Sequence, residues 1–284
     1  MSFYRGSLQR LRELGWLESR NISIEYRSLV GGPDDARSFA RELIGFGPDV
    51  ILCRGGPALV ALLRETRTIP IVFTYITDPV ASGFVANLAR PGGNATGFSN
   101  QDAEIAGKWL QLLKEIASRV TRVMVTMQAD APTQLRMRDA AASAAQSLGV
   151  KLTTAAIRDL PEVERAIEAF ASEPEGGLVV LPNAITVGNR ERIIALAAHY
   201  RLPAVYAYPP FARKGGLISY GTDAIPQFRE AAIYVDRILR GEKPGDLPVQ
   251  NPTKFELLVK SKNRERTRPC RAAIDPARAD EVIE

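Results

Sequence analysis

The sequence predicts an α/β protein whose parallel sheets are covered on both faces by helices. Three observations carry that reading. Short strands that are apolar throughout alternate with amphipathic helices. Glycine turns join strand to helix. The alternation runs in two blocks, about 1–99 and 101–220, each the size of a sheet-and-helix domain. A strand buried on both faces loses the in–out alternation of a half-solvated sheet and reads as an unbroken apolar run, as residues 50–53 and 69–73 do.

The elements follow in order. Phe3, Tyr4, Leu8, Leu11 and Leu14 form the stripe of an opening helix that Gly15 stops. Residues 21–26 alternate as a strand with one wetter face, and Gly31-Gly32-Pro33-Asp34-Asp35 turns and caps a helix over about 36–46. The run 50–53 passes through Arg54-Gly55-Gly56-Pro57 into a helix over 58–64, and the run 69–73 opens into an acidic loop over 74–79. A long amphipathic helix spans 101–117, with Ile105, Trp109, Leu112, Leu113 and Ile116 on one side. Strands are then expected over 120–127, 150–156, 177–182, 203–208 and 216–220, with helices over 133–148, 161–171, 189–200 and 225–241 and a late strand over 254–260. Trp16 and Trp109 read as packing residues.

Bulk properties bound the function. At 284 residues there is room for one large or two ordinary domains, and 45% apolar with 24% charged residues is the composition of a soluble globular chain. No apolar run reaches the roughly 20 residues that span a bilayer. The opening MSFYRGSLQR carries no signal peptide, which taken alone reads as cytoplasmic. Residues 260–271 hold six basic and one acidic residue and so supply the whole net charge of +5. The remainder is neutral, so no distributed basic face exists and nucleic acid is not an expected partner. Cys53 and Cys270 have neither metal nor redox spacing, and Cys53 reads as a buried small hydrophobe. His199 is the single histidine, on a helix away from the strand ends, so triad chemistry and histidine-built zinc sites have no residues to use. No metal and no cofactor is expected.

Ligands of parallel α/β sheets bind beyond the carboxyl ends of the strands, and the candidates lie there. Gly55, Gly56, Pro57 and Ala58 turn a strand into a helix N-terminus, where unpaired N–H groups and a partial positive charge suit a carboxylate. The plain alternative is a tight turn with no ligand. Asp78 could accept hydrogen bonds from a ligand ammonium, or simply start an Asp-Pro turn; Thr77 and Tyr75 alternate beside it. In the second block, Asn183 and Ala184 end one strand and Tyr206 or Tyr208 ends the next, offering an amide and a ring. Gln128, after the strand over 120–127, and Asn100, at the first crossing between the blocks, are further candidates, each otherwise an ordinary loop residue.

Several motifs in fixed order carry a family resemblance: G-G-P-A after a strand, T-I-P-I-V-F, D-P-V, L-A-R-P-G-G-N-A-T-G, and later K-P-G-D-L-P-V-Q-N-P-T-K-F-E-L. They resemble the tryptophan/tyrosine-type family of ABC-transporter substrate-binding proteins, over about 3–260 and again over 278–284. The resemblance implies a type I periplasmic-binding-protein-like fold: two doubly wound lobes joined by a three-segment hinge. It divides the chain into 1–99 plus 223–246 and 100–222 plus 247–284. It implies a binding protein rather than an enzyme, a small-molecule ligand (an amino acid, aromatic in character, or a related carboxylate), and ABC permease subunits as partners. The membrane is contacted only through the permease, and the protein is a monomer with a periplasmic location. Relatives often carry a hydroxyl residue where Gly56 stands and Asp near Asn183, so both ligand contacts differ here.

Two departures stand out. Relatives begin with a signal and a first strand, whereas this chain opens inside the first helix, as a late start or a truncated gene would give. Relatives also place an apolar helix where this chain has its basic segment, as a compensated pair of frameshifts would give. A leaderless sensor, a decayed paralogue, or an α/β lyase or isomerase using Asp78 are the rival readings.

Overall fold

The computed structural model describes residues 2–28, 33–128, 131–260 and 279–283. The turn at Gly31-Gly32, the side chains of Phe3 and Asp34, and the basic segment from residue 261 onward with Cys270 lie outside what it describes. In chain order the elements are helices α1 (Ser2–Glu13) and α2 (Pro33–Gly45), strand β1 (Ile51–Arg54), helix α3 (Gly56–Glu65), and strands β2 (Ile71–Thr77) and β3 (Ala95–Gln101). Then come α4 (Ile105–Ile116), β4 (Arg122–Gln128), α5 (Pro132–Ser147), β5 (Lys151–Ile157), α6 (Leu160–Ala171), β6 (Gly176–Val180), α7 (Ala184–Gly188) and α8 (Arg190–His199). The chain closes with β7 (Ala204–Tyr206), α9 (Pro209–Arg213), β8 (Ile218–Gly221), α10 (Ala224–Leu239), a 3-10 turn (Pro244–Asp246), β9 (Glu256–Lys260) and β10 (Glu281–Ile283).

The chain divides into two compact units, Met1–Gln101 with Asp223–Thr253, and Asp102–Thr222 with Lys254–Glu284. The first holds a parallel sheet in the order β1-β2-β3. One side chain layer joins α2 and α3 to it through Ala36, Ala40, Leu59, Leu62, Ile71 and Phe73. The other joins α1 and α10 through Leu11, Val72, Phe98, Ala231 and Val235. Adjacent residues Val72 and Phe73 thus serve opposite layers, as strand geometry requires. Leu247 and Val249, assigned by resemblance to the second lobe, are buried in these same two cores, which carries the first unit on to Thr253.

Residues 21–26 form no strand. Among the described residues their only ladder contact is an isolated bridge between Glu18 and Ile22. Ile22 and Ile24 are half-buried against the α1–α10 layer, and Tyr26 meets the Tyr4 ring edge-on at 5.4 Å. The alternation reports one-sided burial, while strand formation needs a hydrogen-bonding partner that this segment lacks. Among the described residues the outer edge of β1 is likewise unpaired.

The second unit holds seven strands in the order β10-β9-β8-β7-β6-β4-β5, parallel throughout except for β8 against β9. A Cβ added to Gly176 would meet Phe170 of α6, and one added to Gly177 would meet Leu113 of α4. Neighbouring positions on β6 therefore face different helices, and the sheet is covered on both sides. The strand order reverses between β4 and β6, the switch point at whose carboxyl ends such sheets take ligands. Trp109 is fully buried in α4 with its indole N–H donated to the Tyr220 carbonyl at 2.7 Å.

Candidate functional site

In the first unit the candidates collect at the carboxyl ends of three adjacent strands. Gly55 caps α3 with φ 82°, a conformation open to glycine, and no side chain caps the helix. Pro57 has no N–H, so the N–H groups of Gly56 and Ala58 stand at the positive end of α3. A Cβ placed on Gly56 would meet no heavy atom within 4 Å, so the space over this turn is open. Arg54, unremarked in the sequence reading, lays its guanidinium over the Tyr75 ring at 4.8 Å.

The end of β2 is irregular. Its register against β3 shifts between Phe73 and Ile76 and again before Thr77, and Tyr75 and Asp78 have φ of 62° and 47°. A left-handed tyrosine costs about 1–3 kcal/mol, which the surrounding packing must offset. Thr77 donates its hydroxyl to Asn100 Oδ1 at 3.0 Å, so Asn100, buried on β3, is joined to the β2 end. The Asp78 N–H donates to the Gln101 carbonyl at 3.2 Å, and Asp78 Oδ1 accepts from the Ala81 N–H at 3.2 Å. Asp78 therefore does start a turn.

In the second unit, Gln134 of α5 ties the two ends at the switch point. Its Oε1 accepts from the Gln128 N–H at 2.6 Å, and its Nε2 donates to the Pro182 carbonyl at 2.8 Å. Gln128 is exposed at the end of β4. Asn183 is engaged as the cap of α7: its Oδ1 accepts from the Thr186 N–H at 2.9 Å, and the Thr186 hydroxyl accepts from the Asn183 N–H at 3.0 Å. Ala184, exposed, opens that helix.

Tyr206 is not brought to the others. It is 1% exposed, stacked on Phe211 at 4.8 Å, and lies under Gly216, where a Cβ would touch its ring. Burial pushes its hydroxyl well above the ordinary phenol range. It is a core residue, and the expectation that its ring stacks on a ligand is withdrawn. Tyr208 is also buried and caps α9. His199 ends α8, exposed, with its ring edge-on to Tyr200 at 4.7 Å.

The chain matches the family model described as ABC transporter substrate binding protein over residues 1–267. It is 24% identical over 255 residues to the tyrosine-binding protein of Clostridioides difficile (strain R20291), an alignment covering 90% of this chain and 73% of that one. Among solved structures, a conserved domain protein from Vibrio cholerae superposes with a TM-score of 0.89 at 28% identity, covering 99% of this chain and 94% of that one. The ABC domain from Streptococcus pneumonia in complex with L-Trp superposes with a TM-score of 0.88 at 20% identity and the same coverage, a likeness of fold. Each lobe thus has the architecture of the periplasmic binding proteins.

Proposed function

We propose, from the premise that this chain belongs to the family of ABC transporter substrate-binding proteins, that it captures an amino acid with an aromatic side chain and presents it to an ABC permease. Members of the family bind solutes and are not enzymes. The α/β lyase or isomerase alternative falls with that finding.

The observation that carries the ligand class is the uncapped N-terminus of α3 with open space over Gly56. Backbone N–H groups at the positive end of a helix bind a carboxylate without further assistance. The negative charge of the Asp78 carboxylate, at the end of the next strand, suits the ligand ammonium. Gln128 and the Asn183 loop, held together through Gln134, are the contacts that we assign to the second unit. The relatives named for tyrosine and crystallised with L-Trp support an aromatic side chain. The chain passes between its units three times, at 101/102, 222/223 and 253/254, and closure about these crossings is the capture step. In this reading the protein works as a monomer outside the cytoplasmic membrane, which it touches only through the permease.

Thermal melting across the amino acids and small aromatic acids tests the reading. A ligand at 100 times its dissociation constant stabilises the folded state by about 2.7 kcal/mol, an easily measured shift. No shift with any of them would end it.

A further inference from the structure

Ser99 of β3 is 1% exposed, and its polar groups run to two other stretches of the chain. Its N–H donates to the Gln250 carbonyl at 2.9 Å, and its hydroxyl donates to Asn251 Oδ1 at 2.6 Å. Its carbonyl accepts from Gln227 Nε2 at 2.8 Å. These partners share a position in the chain. Ser99 stands just before the first crossing between the units, and Gln227 lies one helical turn into α10, which opens at the second. Gln250 and Asn251 stand just before the third. The N–H, O–H and C=O of one buried residue thus join all three crossings on the side of unit one. Gln250 closes the tie by donating its own N–H to the Gly97 carbonyl at 2.9 Å. The next two residues of β3 lead to the candidate site: Asn100 accepts from Thr77, and the Gln101 carbonyl from the Asp78 N–H. Within unit two, β8 ends at the second crossing and β9 follows the third. They run as an antiparallel pair, with Tyr220 stacked on Phe255 at 5.5 Å.

We propose that Ser99 is a positioning residue that makes the three crossings turn as a single hinge, so that closing on the ligand is one concerted motion. This rests on the capture-by-closure reading above. Crossings that are independent of one another each bend at their own residues, and the units then sample many relative orientations. Hydrogen bonds among the crossings remove that freedom, because bending one displaces the other two. The cost of ordering the hinge is then met in folding and not again when ligand binds. Asn251 supports this assignment. It is exposed, so water is available to its amide, yet its Oδ1 is turned onto the buried Ser99 hydroxyl. Ser99 is also one residue from Asn100 and two from Gln101, so a shift at the ends of β2 and β3 reaches it directly.

Pulsed electron paramagnetic resonance tests this without a ligand. Spin labels go on exposed positions of α2 and α5, as Ser38→Cys and Ala142→Cys in a Cys270→Ser background, with Cys53 buried. This reference protein should give narrow distance peaks, one for each position of the hinge. Ser99→Ala and Asn251→Ala should each broaden them, and the double variant no further than either alone, since both remove the same bond. All three should melt within a few degrees of the reference. Calorimetry with L-tyrosine and L-tryptophan should show several-fold weaker binding in the variants, although neither residue is a proposed ligand contact. Peaks already broad in the reference, or unchanged in a folded Ser99→Ala, overturn the proposal. So does a lower melting temperature without broadening, which leaves Ser99 a purely structural residue. Should Ser99→Ala fail to fold, Asn251→Ala decides, because it removes the bond from an exposed position. A wild type that binds neither amino acid ends the aromatic-ligand reading, and the peak widths then judge Ser99 by themselves.

Discussion

Gly97 and Phe73 approach so closely that no side chain fits between them: a Cβ on Gly97 would lie 2.0 Å from the Phe73 carbonyl oxygen and 2.7 Å from its nitrogen. The two are paired across β2 and β3 immediately before the register shifts. Gly221 repeats the arrangement at the end of β8, 1.8 Å from the Ala207 carbonyl by the same measure. Each glycine precedes a crossing between the units by a few residues, at 101/102 and 222/223. Gly97→Ala and Gly221→Ala should each destabilise by about 3 kcal/mol or more, since backbone must move and not merely a side-chain tip. Gly56→Ala, where the added carbon meets nothing, should stay within about 1 kcal/mol of wild type. Urea titrations of the three variants decide this.

At the α3 turn, Gly56→Ser restores a side-chain donor where the space is open. Its expected effect is a several-fold gain in affinity for the ligand carboxylate. Asp78→Asn keeps an acceptor for the Ala81 N–H but removes the charge facing the ammonium. Affinity should fall by roughly 10- to 100-fold, the value of about 1.5–3 kcal/mol for a hydrogen bond to a charged group. Titration with the amino acid and with its deaminated analogue separates the two effects, because Asp78→Asn should leave the analogue's binding unchanged.

Cys53 supplies a pH dependence. Burial pushes its thiol up to about 12, against about 8.5 in an unfolded chain. The folded state therefore favours the neutral thiol. The stability it contributes is complete below about pH 8.5 and is lost as pH rises through 8.5 toward 12. In a Cys270→Ser background, iodoacetamide should label Cys53 at pH 8 only at the rate of unfolding. Adding Cys53→Ala should flatten the alkaline fall in urea midpoint; rapid labelling of native protein at pH 8 would contradict the buried thiol.

Asp236 of α10 accepts from the Trp16 indole N–H at 2.8 Å and from Arg240 Nε at 2.7 Å, with its own side chain largely covered. Asp236→Ala leaves the indole donor unmet and should cost about 2–3 kcal/mol. Asp236→Asn, which retains an acceptor, should cost less. Tryptophan fluorescence during denaturation follows both.

Where the sequence reading succeeded, it did so because a strand such as β6 is apolar on both faces and a helix such as α4 repeats its apolar residues every three to four positions. It passed over β3 for the same reason. Ala95-Thr96-Gly97-Phe98-Ser99-Asn100-Gln101 is largely polar, yet buried throughout, because Thr96 donates to the Leu247 carbonyl and Ser99 to Asn251. Those partners lie some 150 residues away, beyond any local pattern. The short α7, α9 and β10 were missed because helices of five residues and a strand of three span too little sequence to show a period. Tyr206 was placed correctly at the end of a strand but on the wrong environment, since only the fold sets Phe211 and Gly216 against its ring. The glycine turn at 55–56 was legible because the helix N-terminus and the glycines are adjacent in sequence.

The packing of α1 on α10 also sets the order in which the protein can be made. Ser7 donates its hydroxyl to the Phe228 carbonyl, and Leu11 lies in the same core as Ala231 and Val235. Helix α1 must therefore wait for α10, far later in the chain, before its core is complete. At about 5–20 residues per second that delay is roughly 10–40 seconds, during which its apolar stripe lacks the α10 part of its core. Unit two, encoded between them, can close its central strands β4 to β8 before unit one is complete. A nascent chain in this condition exposes apolar surface of the kind that holding chaperones cover, until α10 has emerged.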